Sequence, residues 1–89
     1  MARFEINDAA MAGLGHEGAT GDILFRLGVN YSTGRNGTTD LVEAHKWFNL
    51  AAMKGKREAA DYRRELSLEM SAGEIAAAQR AAREWLALQ

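Results

Sequence analysis

The sequence predicts an all-α fold, with antiparallel helix pairs stacked as a short α–α superhelix. Three observations carry this reading. There is no proline in 89 residues, whereas a loop-rich β protein uses proline at turns and sheet edges. All nine glycines fall between Gly13 and Gly73, and the second half is rich in Ala, Glu, Arg and Leu, the strong helix formers. Finally, Ala44-His45-Lys46-Trp47-Phe48-Asn49-Leu50 is echoed by Ala82-Arg83-Glu84-Trp85-Leu86-Ala87-Leu88. Both read Ala-x-x-Trp-hydrophobic-x-Leu, and a repeat period in the range of roughly 34–45 residues belongs to helical-pair solenoids.

The elements follow in order. Asn7 or Asp8 can cap a short first helix to about Gly15, with Ile6, Ala10 and Leu14 at helical spacing. From Thr20 or Asp22 to about Thr33 two periods compete. Ile23, Phe25, Leu27, Val29 and Tyr31 alternate like a strand, while Leu24, Leu27, Gly28 and Tyr31 share one helix face. No other segment offers a pairing strand, and a lone strand leaves its backbone groups unpaired. The segment is therefore read as a helix, apolar nearly all round and enclosed by neighbours. Gly34-Arg35-Asn36-Gly37 is a turn, because Gly and Asn accept positive φ.

Thr39 or Asp40 caps the next helix, whose stripe is Leu41, Ala44, Trp47, Phe48 and Ala51, ending near Gly55. His45-Lys46 falls off that stripe and is expected to face solvent. A helix over about 57–69 aligns Ala59, Tyr62, Leu66 and Met70. Ser71-Ala72-Gly73-Glu74 is a capping box that opens a last helix with the stripe Ile75, Ala78, Ala82, Trp85 and Leu86.

Composition narrows the chemistry. A formal net charge of −1 is no footprint for nucleic acid. The local exception is the basic stretch of Lys54, Lys56, Arg57, Arg63 and Arg64. With no cysteine, disulfides and thiolate chemistry are excluded. No run approaches the roughly 20 apolar residues of a membrane span, and Met1–Glu5 does not open a signal peptide. These features lead to the expectation of a cytoplasmic protein without a membrane partner. His16 and His45 are the only histidines and form no His-x-x-x-His pair, so no metal or cofactor is expected. Gly13-Leu14-Gly15-His16-Glu17-Gly18 spells G-x-G-x-x-G but lacks the βαβ setting of a nucleotide site. No nucleophile, base and orienting group can be assembled, so the chain is read as non-enzymatic.

Leu27, Gly28, Tyr31 and Gly34, then Asp40, Ala44, Trp47, Ala51, Ala52 and Gly55, keep a specific spacing across about residues 22–59. By these positions the chain resembles the Sel1-like repeat family, relatives of the tetratricopeptide repeat. In that family the turn usually carries a second glycine followed by valine, where this chain has Asn36 and Gly37. The resemblance divides a single domain, 1–89, into a helix or half repeat over 5–18, a Sel1-like repeat over 20–55, and a degenerate repeat with a C-terminal capping helix over 56–89. It also implies a function. First helices of such repeats line a concave face that meets an extended or helical segment of another protein. The residues it places there are Asp22, Arg26, Val29 and Asn30, with Lys56, Arg63 and Ser67 on the equivalent helix. The arginines suit an acidic or amphipathic segment, since guanidinium pairs carboxylate bidentately. Asp22 and Arg26 also have the i,i+4 spacing of a simple surface pair. The alternatives are a small structural homodimer and a nucleic-acid-associated regulator using the 54–64 patch.

Overall fold

A computed structural model describes residues 20–35 and 37–89. Among these residues there are four helices: α1 (Gly21–Thr33), α2 (Leu41–Met53), α3 (Arg57–Ser67) and α4 (Ala72–Ala87). No strand occurs among the described residues. The expected helix over 7–15 and the half repeat over 5–18 lie outside them, as does Asn36.

Local chemistry sets the helix ends. The Thr20 hydroxyl accepts from the Ile23 amide at 3.2 Å and opens α1. Gly34 closes it at φ +75°, with its amide donating to the Asn30 carbonyl. A Cβ there would be strained by that φ and would lie 2.8 Å from Thr39 Oγ1. The Asp40 amide donates back to the Tyr31 carbonyl at 3.0 Å, folding the turn onto α1. Asp40 Oδ1 accepts from the Glu43 amide at 3.0 Å and starts α2, which runs out at Gly55 with φ +97°. The capping box is present: Ser71 Oγ accepts from the Glu74 amide at 3.1 Å, and Glu74 Oε1 accepts from the Ser71 amide at 2.8 Å. The caps of α1, α2 and α4 thus satisfy amides that a helix start leaves without partners, and the Gly34 amide satisfies a carbonyl at the end of α1.

α2 is the centre of the packing. α1, α3 and α4 each form an interface with it, and no comparable interface joins α3 to α4. Six of its thirteen residues are buried: Ala44, His45, Trp47, Phe48, Leu50 and Ala51. That proportion is what a helix with neighbours on three sides requires. In α1, by contrast, only Leu24 and Gly28 are buried. Among the described residues α1 has one major neighbour, so its expected enclosure belongs to α2 instead.

Two aromatic clusters lock the helices to α2. The Phe48 ring, fully buried, lies 5.6 Å from Phe25 of α1 and 5.3 Å from Tyr62 of α3. Phe25 and Tyr62 also meet edge-on at 4.9 Å. Gly28 makes room for this cluster, since a Cβ there would come within 2.5 Å of the Phe48 ring. On another side, Trp47 and Trp85 pack edge-to-face at 5.7 Å, over Ala44 and Ala82, both buried. Edge-on ring pairs contribute about 0.5–1.5 kcal/mol beyond area burial. The Ala-x-x-Trp echo therefore brings its two copies together in space. Trp47 Nε1 also donates to Glu43 Oε1 at 3.1 Å, satisfying its polar edge.

Gly21 marks a third close approach. A Cβ there would lie 2.9 Å from Lys56 Cβ and 3.3 Å from the Ala51 carbonyl. The start of α1 is thereby pressed against the α2–α3 connection, and Lys56 comes beside the outer face of α1.

Candidate interaction groove

Asp22, Phe25, Arg26, Val29 and Asn30 fall at i, i+3, i+4, i+7 and i+8 and form one stripe along α1. Together with Lys56 and Arg35 they line an open groove of about 350 Å3. Lys56 reaches it because of the Gly21 contact. Arg35 reaches it because its amide folds back on the Asn30 carbonyl at 3.0 Å, just past the Gly34 cap.

The charges in the groove are unequal in availability. Lys56 Nζ is held by Asp22 Oδ1 at 2.7 Å and Glu58 Oε1 at 3.1 Å, and lies 5.4 Å from the Phe25 ring centre. Hydrogen bonding to Lys56, with its charge, holds the Asp22 carboxyl below the usual range. The bonds to Asp22 and then Glu58 raise Lys56 in return. Asp22 is therefore ion-paired with Lys56 of the α2–α3 connection, and Arg26 one turn along acts on it only through its charge. Among the described residues Arg26 and Arg35 take part in no ion pair. The groove thus offers two guanidiniums beside the apolar surface of Phe25 and Val29.

Five of the seven residues expected on the partner face are brought together here: Asp22, Arg26, Val29, Asn30 and Lys56. Arg63 and Ser67 are not. Arg63 Nη1 donates to Asn49 Oδ1 of α2. Ser67 Oγ donates to the Arg63 carbonyl at 2.9 Å and lies 3.2 Å from His45 Nε2. Both side chains seal the α2–α3 interface, because α3 turns that edge toward α2. Phe25 and Arg35 were missed as groove residues. The i+3 spacing from Asp22 could have found Phe25, whereas nothing in the sequence alone aims Arg35.

His45 corrects the expected solvent exposure, being only 3 % exposed. His45 Nε2 and Ser67 Oγ share this bond, its direction set by the imidazole tautomer. His45 Nδ1 is buried with no hydrogen-bond partner among the described residues. Burial, followed by the nearby Arg63 charge, pushes the imidazole below its ordinary 6.5. The sign follows from linkage. The unfolded chain takes up this proton as pH falls through about 6.5 and the folded chain resists it, so stability is full above that range and is lost below it. Thermal melts of wild type and His45→Gln from pH 8 to pH 5 will show a steeper acid loss for the wild type. Equal slopes would mean that His45 does not titrate differently on folding.

No protein-family model matches the chain, and neither a curated protein nor a solved structure matches it significantly.

The basic stretch between Lys54 and Arg64 is broken up by pairing. Besides Lys56 and Arg63, Arg64 is held by Asp61 at 2.6 Å. Lys54 and Arg57 are left without ion pairs among the described residues. Among these residues no group of three or more His, Asp or Glu could hold a metal ion. Among the described residues no helix is long and apolar enough to cross a membrane.

Proposed function

We propose that the chain is a non-enzymatic protein–protein interaction module of Sel1-like type, binding an acidic or amphipathic segment of another protein along α1. The observation that carries this reading is the groove itself. Arg26 and Arg35 lack ion-pair partners there, among the described residues, and share the groove with apolar Phe25 and Val29. A segment presenting carboxylates beside an apolar side chain satisfies both surfaces at once.

The geometry at several resemblance positions supports this reading. Gly28 admits a neighbouring ring, Gly34 and Gly55 end helices at positive φ, and Asp40 caps α2. These supports favour a Sel1-like first pair in α1 and α2. The superhelical continuation is the proposed extension of that pair through α3 and α4, with α4 set on α2 in place of a tight pairing with α3.

The test is fluorescence anisotropy with a labelled peptide carrying glutamates on both sides of a leucine, beside a lysine-substituted control peptide. The acidic peptide will bind the wild type. Arg26→Glu/Arg35→Glu, folded by circular dichroism, will weaken it at least about tenfold, roughly 1.4 kcal/mol. Equal binding of the control peptide, or an unchanged Kd in the variant, would sink the groove assignment.

A further inference from the structure

A second hollow lies beside the basic groove. Among the described residues it is lined by Asp61, Tyr62 and Glu65 of α3, with a volume of about 350 Å3. The two are joined by the edge-on contact of Phe25 in the groove with Tyr62 in the hollow, centroid to centroid 4.9 Å. Tyr62 remains 46 % exposed at this seam although it touches two rings. On one side of the seam are Arg26 and Arg35, and on the other Asp61 and Glu65. Arg26, Arg35 and Glu65 form no ion pair among the described residues, and Asp61 is engaged only by its helical neighbour Arg64 on the surface. The two sets of opposite charge thus belong to hollows joined by one ring contact, and among the described residues they form no ion pair with each other.

Such a surface is complementary to itself. A two-fold axis through an aromatic seam exchanges the halves on either side, which is the geometry of an isologous interface. We propose that a second copy of this chain covers it, with Phe25 and Tyr62 at the centre and Arg26 and Arg35 of each protomer facing the acidic residues of the other. Aromatic and arginine side chains are the types most enriched at interface centres. The formal net charge of −1 sets up little repulsion between copies. This self-association goes beyond the hetero-partner reading and competes with it, because both use Arg26.

Sedimentation equilibrium of the full chain, from roughly micromolar to roughly millimolar protein, tests it. The mass will rise from 9.7 kDa toward twice that value, and added salt will oppose the rise. Arg26→Glu and Glu65→Arg will each raise the dimer Kd at least about tenfold. Arg26→Glu/Glu65→Arg, which reverses both halves, will return it to within about threefold of wild type. Circular dichroism checks each fold, and Arg26→Gln with Glu65→Gln replaces any reversal that unfolds, each again weakening the dimer. A mass fixed at 9.7 kDa throughout, charge changes without effect, or a double reversal without recovery would each overturn the proposal. A wild-type monomer that still binds the acidic peptide removes the dimer and leaves the groove reading standing. A dimer indifferent to that peptide does the reverse.

Discussion

Phe48→Ala is expected to destabilise the domain by about 3–5 kcal/mol, the cost of emptying a fully buried phenylalanine site. The ring has no solvent exposure and is the common neighbour of Phe25 and Tyr62. Its removal unpins α1 and α3 from α2 together, and surrounding side chains cannot close a gap shared by three helices without moving a helix. Small domains hold about 5–15 kcal/mol in total, so the variant will be largely unfolded near 37 °C if this chain lies low in that range. Urea denaturation followed by circular dichroism reads the effect. A loss below about 1 kcal/mol would show that the three helices do not depend on this ring.

Gly28→Val is the opposite error at the same place. Even one added carbon comes within 2.5 Å of Phe48 Cδ1 and 2.6 Å of Cε1. Those atoms belong to the rigid ring at the centre of the core, so the ring or α1 must move. Overpacking of this kind costs about 1–3 kcal/mol, and the branched valine belongs near the upper end. Gly28→Ala tests the same contact more finely. Replacing a helical glycine by alanine should gain about 1 kcal/mol from the backbone, and here the collision will reverse that sign. In a Phe48→Leu background the penalty of Gly28→Ala will shrink, because the ring that obstructs it is gone. A double-mutant cycle in urea with no coupling between the two positions would refute the contact.

Much of this architecture was legible because it depends on local chemistry. Asp40 and Ser71 announce helix starts through side chains that reach their own next turn. Gly34 and Gly55 announce ends through a φ that other residues avoid. The strand-like alternation of Ile23 to Tyr31 yields to a helix because Leu24 and Gly28, four apart, are its buried pair. Trp47 and Trp85 were placed on apolar stripes by their spacing, whereas their contact with each other was not expected.

What the sequence could not show was how many neighbours each helix has. Reading one stripe on α2 leaves His45 outside it, and that is correct for a helix with one partner. Packing on three sides leaves His45 no route to water. The same limit misplaced Arg63 and Ser67, since the rotation of α3 about its axis decides whether that edge meets α2 or the groove. Asp22 could be paired along its helix by spacing, but the partner it takes, Lys56, is delivered by the close approach at Gly21.

The central position of α2 bears on how the molecule comes apart. In a linear repeat array each unit touches only its neighbours, and a terminal unit can be lost while the rest persists. Among the described residues the outer helices share one main support, the second described helix along the chain, with Phe25 and Tyr62 adding a smaller contact between α1 and α3. Loss of α2 leaves α1, α3 and α4 without the surface they bury. Unravelling is accordingly all-or-none for α2 and piecemeal only for the helices around it, so α2 retains its amide protons longest.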